Sequence, residues 1–324
     1  MVENKFISVV IPAYNEGKLI TKTLETMPSF VDKIIVVNDG SKDNTLDLIK
    51  ACQNKDPRIE ILNHDVNKGL GQTLIDGYLH SRKIQSDVTA IMAGDAQMAP
   101  EDLINVVTPI AEGKVHYVKG NRFFMDDVVE KMPFYRLVGN AGLTILTKFA
   151  TGYWHIIDPQ CGYTAISKDA LAAIPIQRMT KKYGYNADIL NMLNIRNFVV
   201  ADVDVKPVYG EEVSKIQLHK YIPKISMLLI RLFLRRLLQK YLIRNFNPLC
   251  ISYLLSMFLF FFGVLPFGIR TIYIYFSTGL FPQTSFLTLM FVTLAAVQMF
   301  LFAIQYDMED NRVLSAHFDS RNKK

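Results

Sequence analysis

Asp95 and Gln97 stand two residues apart at the end of an apolar run, in T-A-I-M-A-G-D-A-Q-M-A-P-E-D-L over residues 89–103. A carboxylate and an amide at that spacing are oxygen donors suited to a divalent cation that leaves room for the phosphates of a substrate. A solvated turn has the same composition. Three other polar clusters share the setting, each directly after a β-branched run: Pro12, Tyr14 and Glu16 after residues 6–11, Asp39 after 33–37, and Arg122 after 117–119. Together they offer carboxylates for a sugar or a metal, an aromatic face for a base, and a guanidinium for phosphate. That is the chemistry of a nucleotide site. No G-x-G-x-x-G follows the first apolar run and no G-x-x-x-x-G-K-[ST] occurs, which argues against the dinucleotide-fingerprint and P-loop classes.

The elements that must position these residues are legible as a period. Apolar, β-branched runs at 6–11, 33–37, 58–62, 87–92 and 117–119 predict strands, and helix-forming sequence separates them up to 27, through 51, over 72–81 and over 101–112. Strands alternating with helices at this spacing predict a mostly parallel sheet with helices on both faces. Right-handed crossovers then deliver the strand ends to one edge, where open α/β sheets bind ligands. Residues 133–152 predict a further helix carrying Arg136 and Asn140. Residues 158–163 read as a turn leading into a strand, with Cys161 as a small buried residue.

The chain has 324 residues, half of them hydrophobic, and a formal charge of +6. Basic residues gather between 209 and 245, as Lys215, Lys220, Lys224, Arg231, Arg235, Arg236, Lys240 and Arg244, against Glu211 and Glu212. Their position just before the most apolar part of the chain points to an anionic membrane surface rather than to nucleic acid. Residues 216–246 alternate apolar Ile222, Ile225, Leu229 and Phe233 with basic groups, as an amphipathic helix lying in the headgroup plane would. Two uncharged stretches follow, 248–268 and 284–306, each long enough to span hydrocarbon. Basic residues flank both, so the hairpin is expected to leave both termini in the cytoplasm. The first apolar run is too short for a signal sequence, so the N-terminal part is expected there as well. Three distant cysteines suit neither a disulfide framework nor a zinc site. The expected division is 1–215, 216–246, 247–307 and 308–324.

Five ordered motifs carry a resemblance: V-V-I-P-A-Y-N-E at 9–16, V-V-N-D-G-S-K-D-N-T at 36–45, N-K-G-L-G at 67–71, residues 95–103, and G-N-R-F at 120–123. Over about residues 5 to 216 the chain resembles the inverting family 2 glycosyltransferases of GT-A fold, and among them the polyprenyl-phosphate sugar transferases of the dolichol-phosphate mannose synthase type. The resemblance implies a Rossmann-like sheet, with nucleotide base and ribose at Pro12, Tyr14, Glu16 and Asp39, and diphosphate with Mg2+ or Mn2+ at Asp95 and Gln97. It places Asp158 and Gln160 in the loop under the transferred sugar, Asp188 near the acceptor in Y-G-Y-N-A-D-I-L, and Lys215 in a segment like the family's E-x-S-K. Two positions depart from the family. Asn38 precedes Asp39 where an acidic pair is usual, and Ala93 stands where the D-x-D-x-Q motif begins.

The resulting expectation is a membrane-anchored transferase moving a sugar from a nucleotide diphosphate sugar to a polyprenyl phosphate, with Arg122, Arg136 and Lys215 screening the anionic acceptor. A sugar hydroxyl on a lipid-linked glycan is the alternative acceptor, and it would need Asp188 as general base. A processive polysaccharide synthase fits less well, because Q-x-x-R-W is absent and Trp154 is the single tryptophan. A non-catalytic nucleotide-sugar-binding membrane protein is a third reading, and exposed apolar hairpins leave room for homo-oligomers.

Overall fold

The computed structural model describes residues 2–122, 134–206, 218–244 and 246–317. The chain forms two compact units, residues 1–233 with 314–324, and residues 234–313.

The first unit is built on an eight-stranded sheet in the order β3-β2-β1-β4-β6-β5-β7-β8. The strands are β1 (Ile7–Ala13), β2 (Lys33–Asp39), β3 (Ile59–His64), β4 (Val88–Ile91), β5 (Tyr117–Asn121), β6 (Thr164–Ser167), β7 (Val200–Asp204) and β8 (Ser315–His317). Period-two alternation divides their side chains between two cores. Val9, Ile11, Ile34 and Val36 face one core with Ile20 and Leu24 of α1 (Ile20–Glu25), Ile49 of α2 (Thr45–Gln53), and Leu103 and Val106 of α4 (Leu103–Ala111). Val10, Ile35 and Val37 face the other, with Leu74 and Tyr78 of α3 (Leu70–Lys83). Burial on both faces is what a continuous apolar strand demands.

Every strand runs parallel to its neighbours except β6, which is antiparallel to both β4 and β5. Two reversals restore direction, so the carboxyl ends of β1, β2, β4 and β5 share one edge. Chain leaving β5 there passes through α5 (Phe134–Thr151) and re-enters as β6 from the same side. The loop before β6, containing Asp158 and Gln160, therefore also lies at that edge. After α6 (Lys168–Ala173) comes α7 (Tyr185–Ile195), whose Ile189, Leu190 and Leu193 join the second core.

Helix α8 (Leu218–Arg236) corrects the assignment of faces in the amphipathic segment. Ile225 and Leu229, read from sequence as membrane-facing, are buried with Leu232 against Ala150 and Ala187. Met227, Ile230 and Leu234 form an exposed stripe instead. A segment apolar at both sets of positions can cover its own domain and still present an oily face.

In the second unit, α9 (Pro248–Thr278) and α10 (Gln283–Arg312) are long and apolar enough to cross a membrane. They outrun the spans expected from composition because nothing breaks the first helix until Gly279, whose φ of +69° closes it in the left-handed region. Arg270 thus lies on a helix rather than in a loop. The two helices approach closely: a Cβ on Gly263 would stand 2.3 Å from Val292 Cγ1. Ser256 Oγ donates to the Ala296 carbonyl at 2.9 Å. Phe261, Phe262, Phe276 and Phe291 remain exposed. Near the end of α10 a buried polar cluster forms, in which Arg236 donates twice to Asp307, at 2.6 and 2.7 Å, and Lys240 donates to Asn311 at 2.8 Å. Burial holds the Lys240 ammonium down at about 8 although Asp310 favours its charge.

Candidate active site

The first two loops at the carboxyl edge form one platform. Asn15, in the left-handed region at φ +57°, donates its backbone N–H to Ser41 Oγ at 3.0 Å while its side-chain oxygen accepts from the Lys42 N–H at 2.9 Å. The Glu16 N–H donates to Thr45 Oγ1 at 2.9 Å, and the Gly17 N–H to Asp43 Oδ2 at 3.1 Å. Tyr14, exposed, and Pro12 and Glu16, half-buried, are presented on this platform. A ring in solvent held by a pinned backbone is what base stacking needs.

Asp39 is buried, and both of its oxygens are engaged. Oδ1 accepts the Lys68 N–H and Oδ2 the Gly69 N–H, each at 2.9 Å, while His64 Nδ1 lies 2.8 Å from Oδ1. Its carboxyl is held below the ordinary 3.8: burial pushes it up, but His64 and the two amides outweigh burial. His64 reaches Asp76 Oδ2 through its other nitrogen at 2.9 Å. Asp39 thus anchors the Asn67–Gly71 loop to the edge of the sheet. Gly40 allows that approach, since at φ +67° any Cβ would meet the Val66 carbonyl carbon at 2.7 Å. Asn38 takes the other side, donating to Asn63 Oδ1 at 2.6 Å.

Asp95 follows β4 in a tight turn. Its Oδ1 accepts the Gln97 N–H at 3.1 Å, with Ala96 at φ +53° between them. Both side chains are half-buried at the edge. Among the described residues, no three His, Cys, Asp or Glu side chains gather into a cage. One carboxylate and one amide are hard oxygen donors, and that set fits a Mg2+ or Mn2+ ion whose other positions are filled by diphosphate oxygens and water. It does not fit an ion held by protein alone.

Arg122 and Asp158, predicted separately as phosphate or sugar contacts, form an ion pair with two contacts, Nε to Oδ2 at 2.7 Å and Nη2 to Oδ1 at 3.2 Å. Asp158 is 1% exposed and also caps the Cys161 N–H at 3.1 Å, whereas the Arg122 side chain keeps 44% of its surface in solvent. A buried carboxylate thereby aims an exposed guanidinium. Gln160 joins through its backbone: its carbonyl accepts from Asn186 Nδ2 at 3.1 Å.

Beneath this pair lie groups that the sequence did not single out. Lys119 on β5 is fully buried, and Asp202 is its register neighbour on β7. Burial pushes Lys119 down to about 8, against the opposing pull of the nearby Cys161, Asp158 and Asp202. Burial pushes Asp202 up from 3.8 to about 7, although the Ile157 N–H and Lys119 favour its charge. A carboxyl raised in the folded state binds an extra proton there, so its burial destabilises the fold increasingly as pH climbs from 3.8 through about 7. Asp202→Asn removes that dependence. The thermal midpoint of the variant minus that of the wild type is expected to rise across this window, by the equivalent of up to about 1.4 kcal/mol per pH unit. Parallel pH profiles in thermal unfolding would overturn the assignment.

Asp188 is buried, with Oδ2 accepting both the Thr180 N–H at 2.8 Å and Thr180 Oγ1 at 2.7 Å. Thr180 in turn packs against the 67–71 loop, because Gly71 is so close that a Cβ would meet the Thr180 carbonyl at 2.1 Å. Asp188 thus orders the segment against which the 67–71 loop rests. Arg136 falls on α5, while Lys215 lies outside the described residues.

The family model described as Glycosyl transferase family 2 matches residues 8–174. A UDP-N-acetylglucosamine–dolichyl-phosphate N-acetylglucosaminyltransferase of Methanococcus voltae is 31% identical over 221 residues, 64% of this chain and 88% of that protein. A dolichyl-phosphate beta-glucosyltransferase, ALG5C, of Trichomonas vaginalis is 31% identical over 217 residues, 62% of this chain and 63% of that protein. The fold is shared with glucosyl-3-phosphoglycerate synthase from Mycobacterium tuberculosis, solved with Mn2+, UDP and glucosyl-3-phosphoglycerate, at a TM-score of 0.54 and 18% identity over 72% of this chain and 80% of that one.

Proposed function

The chain belongs to glycosyl transferase family 2, and we propose that it moves a sugar, with inversion, from a nucleotide diphosphate sugar to a dolichol-type polyprenyl phosphate at the cytoplasmic face of a membrane. The observation that carries this reading is the convergence on one sheet edge of the Tyr14 platform, the Asp95 turn and the Arg122–Asp158 pair. Residues up to about 215 serve catalysis, and the segments beyond form the interfacial helix and the membrane hairpin. Strand β8 supports an even number of crossings, since the chain returns after the apolar helices to pair with β7.

The residues divide the work. Tyr14 and Glu16 receive base and ribose, and Asp39 contributes by fixing the 67–71 loop. Asp95 and Gln97 would hold Mg2+ or Mn2+, which supplies charge stabilisation for the departing diphosphate. Arg122 is aimed by Asp158 to neutralise phosphate on the acceptor side, where Arg136 and Lys215 assist. A polyprenyl phosphate is already anionic at neutral pH, so attack on the anomeric carbon needs no base. The occupied carboxylate of Asp188 agrees with this, because Thr180 already donates to it twice. Catalysis is then positioning and electrostatics.

The test is transfer from radiolabelled UDP- and GDP-sugars into an organic-extractable product by the full chain in detergent, with polyprenyl phosphate and with or without EDTA. The expected result is an acid-labile lipid product that EDTA abolishes. Donor binding with no lipid product would overturn the phosphate acceptor and return Asp188 to the role of base.

A further inference from the structure

Lys119 is an unusual occupant of an interior strand. Its side chain is 0% exposed, and its Nζ donates not to a carboxylate but to the amide oxygen of Asn186, at 2.7 Å. The adjacent Asp202 does not take up this ammonium: Oδ2 accepts the Ile157 N–H at 2.8 Å, and Oδ1 is buried without a hydrogen-bond partner. An apolar residue at such a position is commonly neutral or stabilising by comparison, so the buried cation lowers stability for no gain in packing.

What it does achieve is directional. With its oxygen held by Lys119, the Asn186 amide has only one orientation, and Nδ2 donates to the Gln160 carbonyl at 3.1 Å. Gln160 sits between Asp158 and Cys161, the two ends of the turn in which Asp158 Oδ1 accepts the Cys161 N–H. That same Asp158 aims Arg122. The path from a buried ammonium to an exposed guanidinium thus consists of hydrogen bonds through Asn186 and the 158–161 turn.

We propose that Lys119, acting through Asn186 on the Gln160 carbonyl, is a positioning residue for sugar transfer that fixes the turn by which Asp158 orients Arg122. The proposal rests on the transferase reading above. It assigns to the chain a relay behind the acceptor side of the site, separate from the platform that receives the nucleotide.

Asn186→Asp tests it in the full chain, because a carboxylate keeps an oxygen for Lys119 and loses the donor to Gln160. The expected result is a fall in kcat of about tenfold to a hundredfold, with affinity for UDP changed by less than about twofold and the thermal midpoint not lowered. Amide hydrogen exchange at Cys161 should accelerate in parallel. Lys119→Met should reproduce the pattern where it folds. Wild-type kcat in Asn186→Asp overturns the proposal, as does unchanged exchange at Cys161, or a fall in kcat matched by equal losses in UDP affinity or thermal stability. Absence of lipid product from the wild type would instead overturn the transfer reading, and exchange at Cys161 would still decide whether the relay holds the turn.

Discussion

Asp95→Ala is expected to lower transfer about 10³-fold while the protein stays folded. The carboxylate stands at the tip of β4 in a turn where its Oδ1 accepts the Gln97 N–H at 3.1 Å. Losing that contact costs little stability, because the residue is half-buried at an edge and the N–H regains water. Losing the charge removes the side chain assigned to hold the cation against the leaving diphosphate. Asp95→Asn separates the two effects: an amide oxygen still accepts the Gln97 N–H, yet the negative charge is gone. Both variants should fall together in transfer, and the nucleoside diphosphate of whichever donor the wild type uses should bind them no more tightly with Mn2+ than with EDTA. Normal turnover in a folded Asp95→Asn protein would remove Asp95 from the mechanism.

Arg122→Ala should act on rate and stability at once. It leaves the Asp158 carboxylate, 1% exposed, with the Cys161 N–H but without its cation. Breaking a wholly buried pair is costly, but here the Arg122 side chain keeps 44% of its surface in solvent, so water relieves part of the loss and about 1–3 kcal/mol is expected. Transfer should drop about 10²-fold, since a phosphate acceptor then meets an uncompensated carboxylate. Arg122→Lys is the informative companion. It retains charge but cannot make two parallel contacts, so it should recover stability better than rate. Equal activity of all three proteins would show that Arg122 only stabilises the fold.

Much of this arrangement could be read from residue order alone. The β1 and β2 runs announce a sheet buried on both faces, and polar residues directly after each run announce the functional edge. Strand β6 is legible as a strand but not as antiparallel, because four residues, three of them buried, carry no mark of direction. Its reversal is what brings Asp158 beside Arg122. The ties of Asp39 to His64 and of His64 to Asp76 cross between elements without a fixed spacing, so no local pattern betrays them. Lys119 was visible only as part of a strand entering Gly120. Alternation says that such a residue points inward and says nothing of what it meets there. In α8, apolar residues on two faces satisfied a membrane pattern and a packing pattern together, and only tertiary contacts separated Ile225 and Leu229 from Met227 and Ile230.

Strand β8 has a consequence for how the protein is made. Its partner β7 ends at residue 204, but the strand itself begins at residue 315, beyond both apolar helices. During synthesis the N-terminal sheet can assemble early, yet its last ladder must wait until the hairpin has emerged and been accommodated. Until then the amides of Val200 to Asp204 form an open edge, the kind that recruits other strands. A polypeptide released before residue 314 would carry that edge permanently, so removing the hairpin to obtain a more soluble fragment would trade one sticky surface for another. Joining residues 314–317 back to such a fragment through a flexible linker is the simpler way to close it.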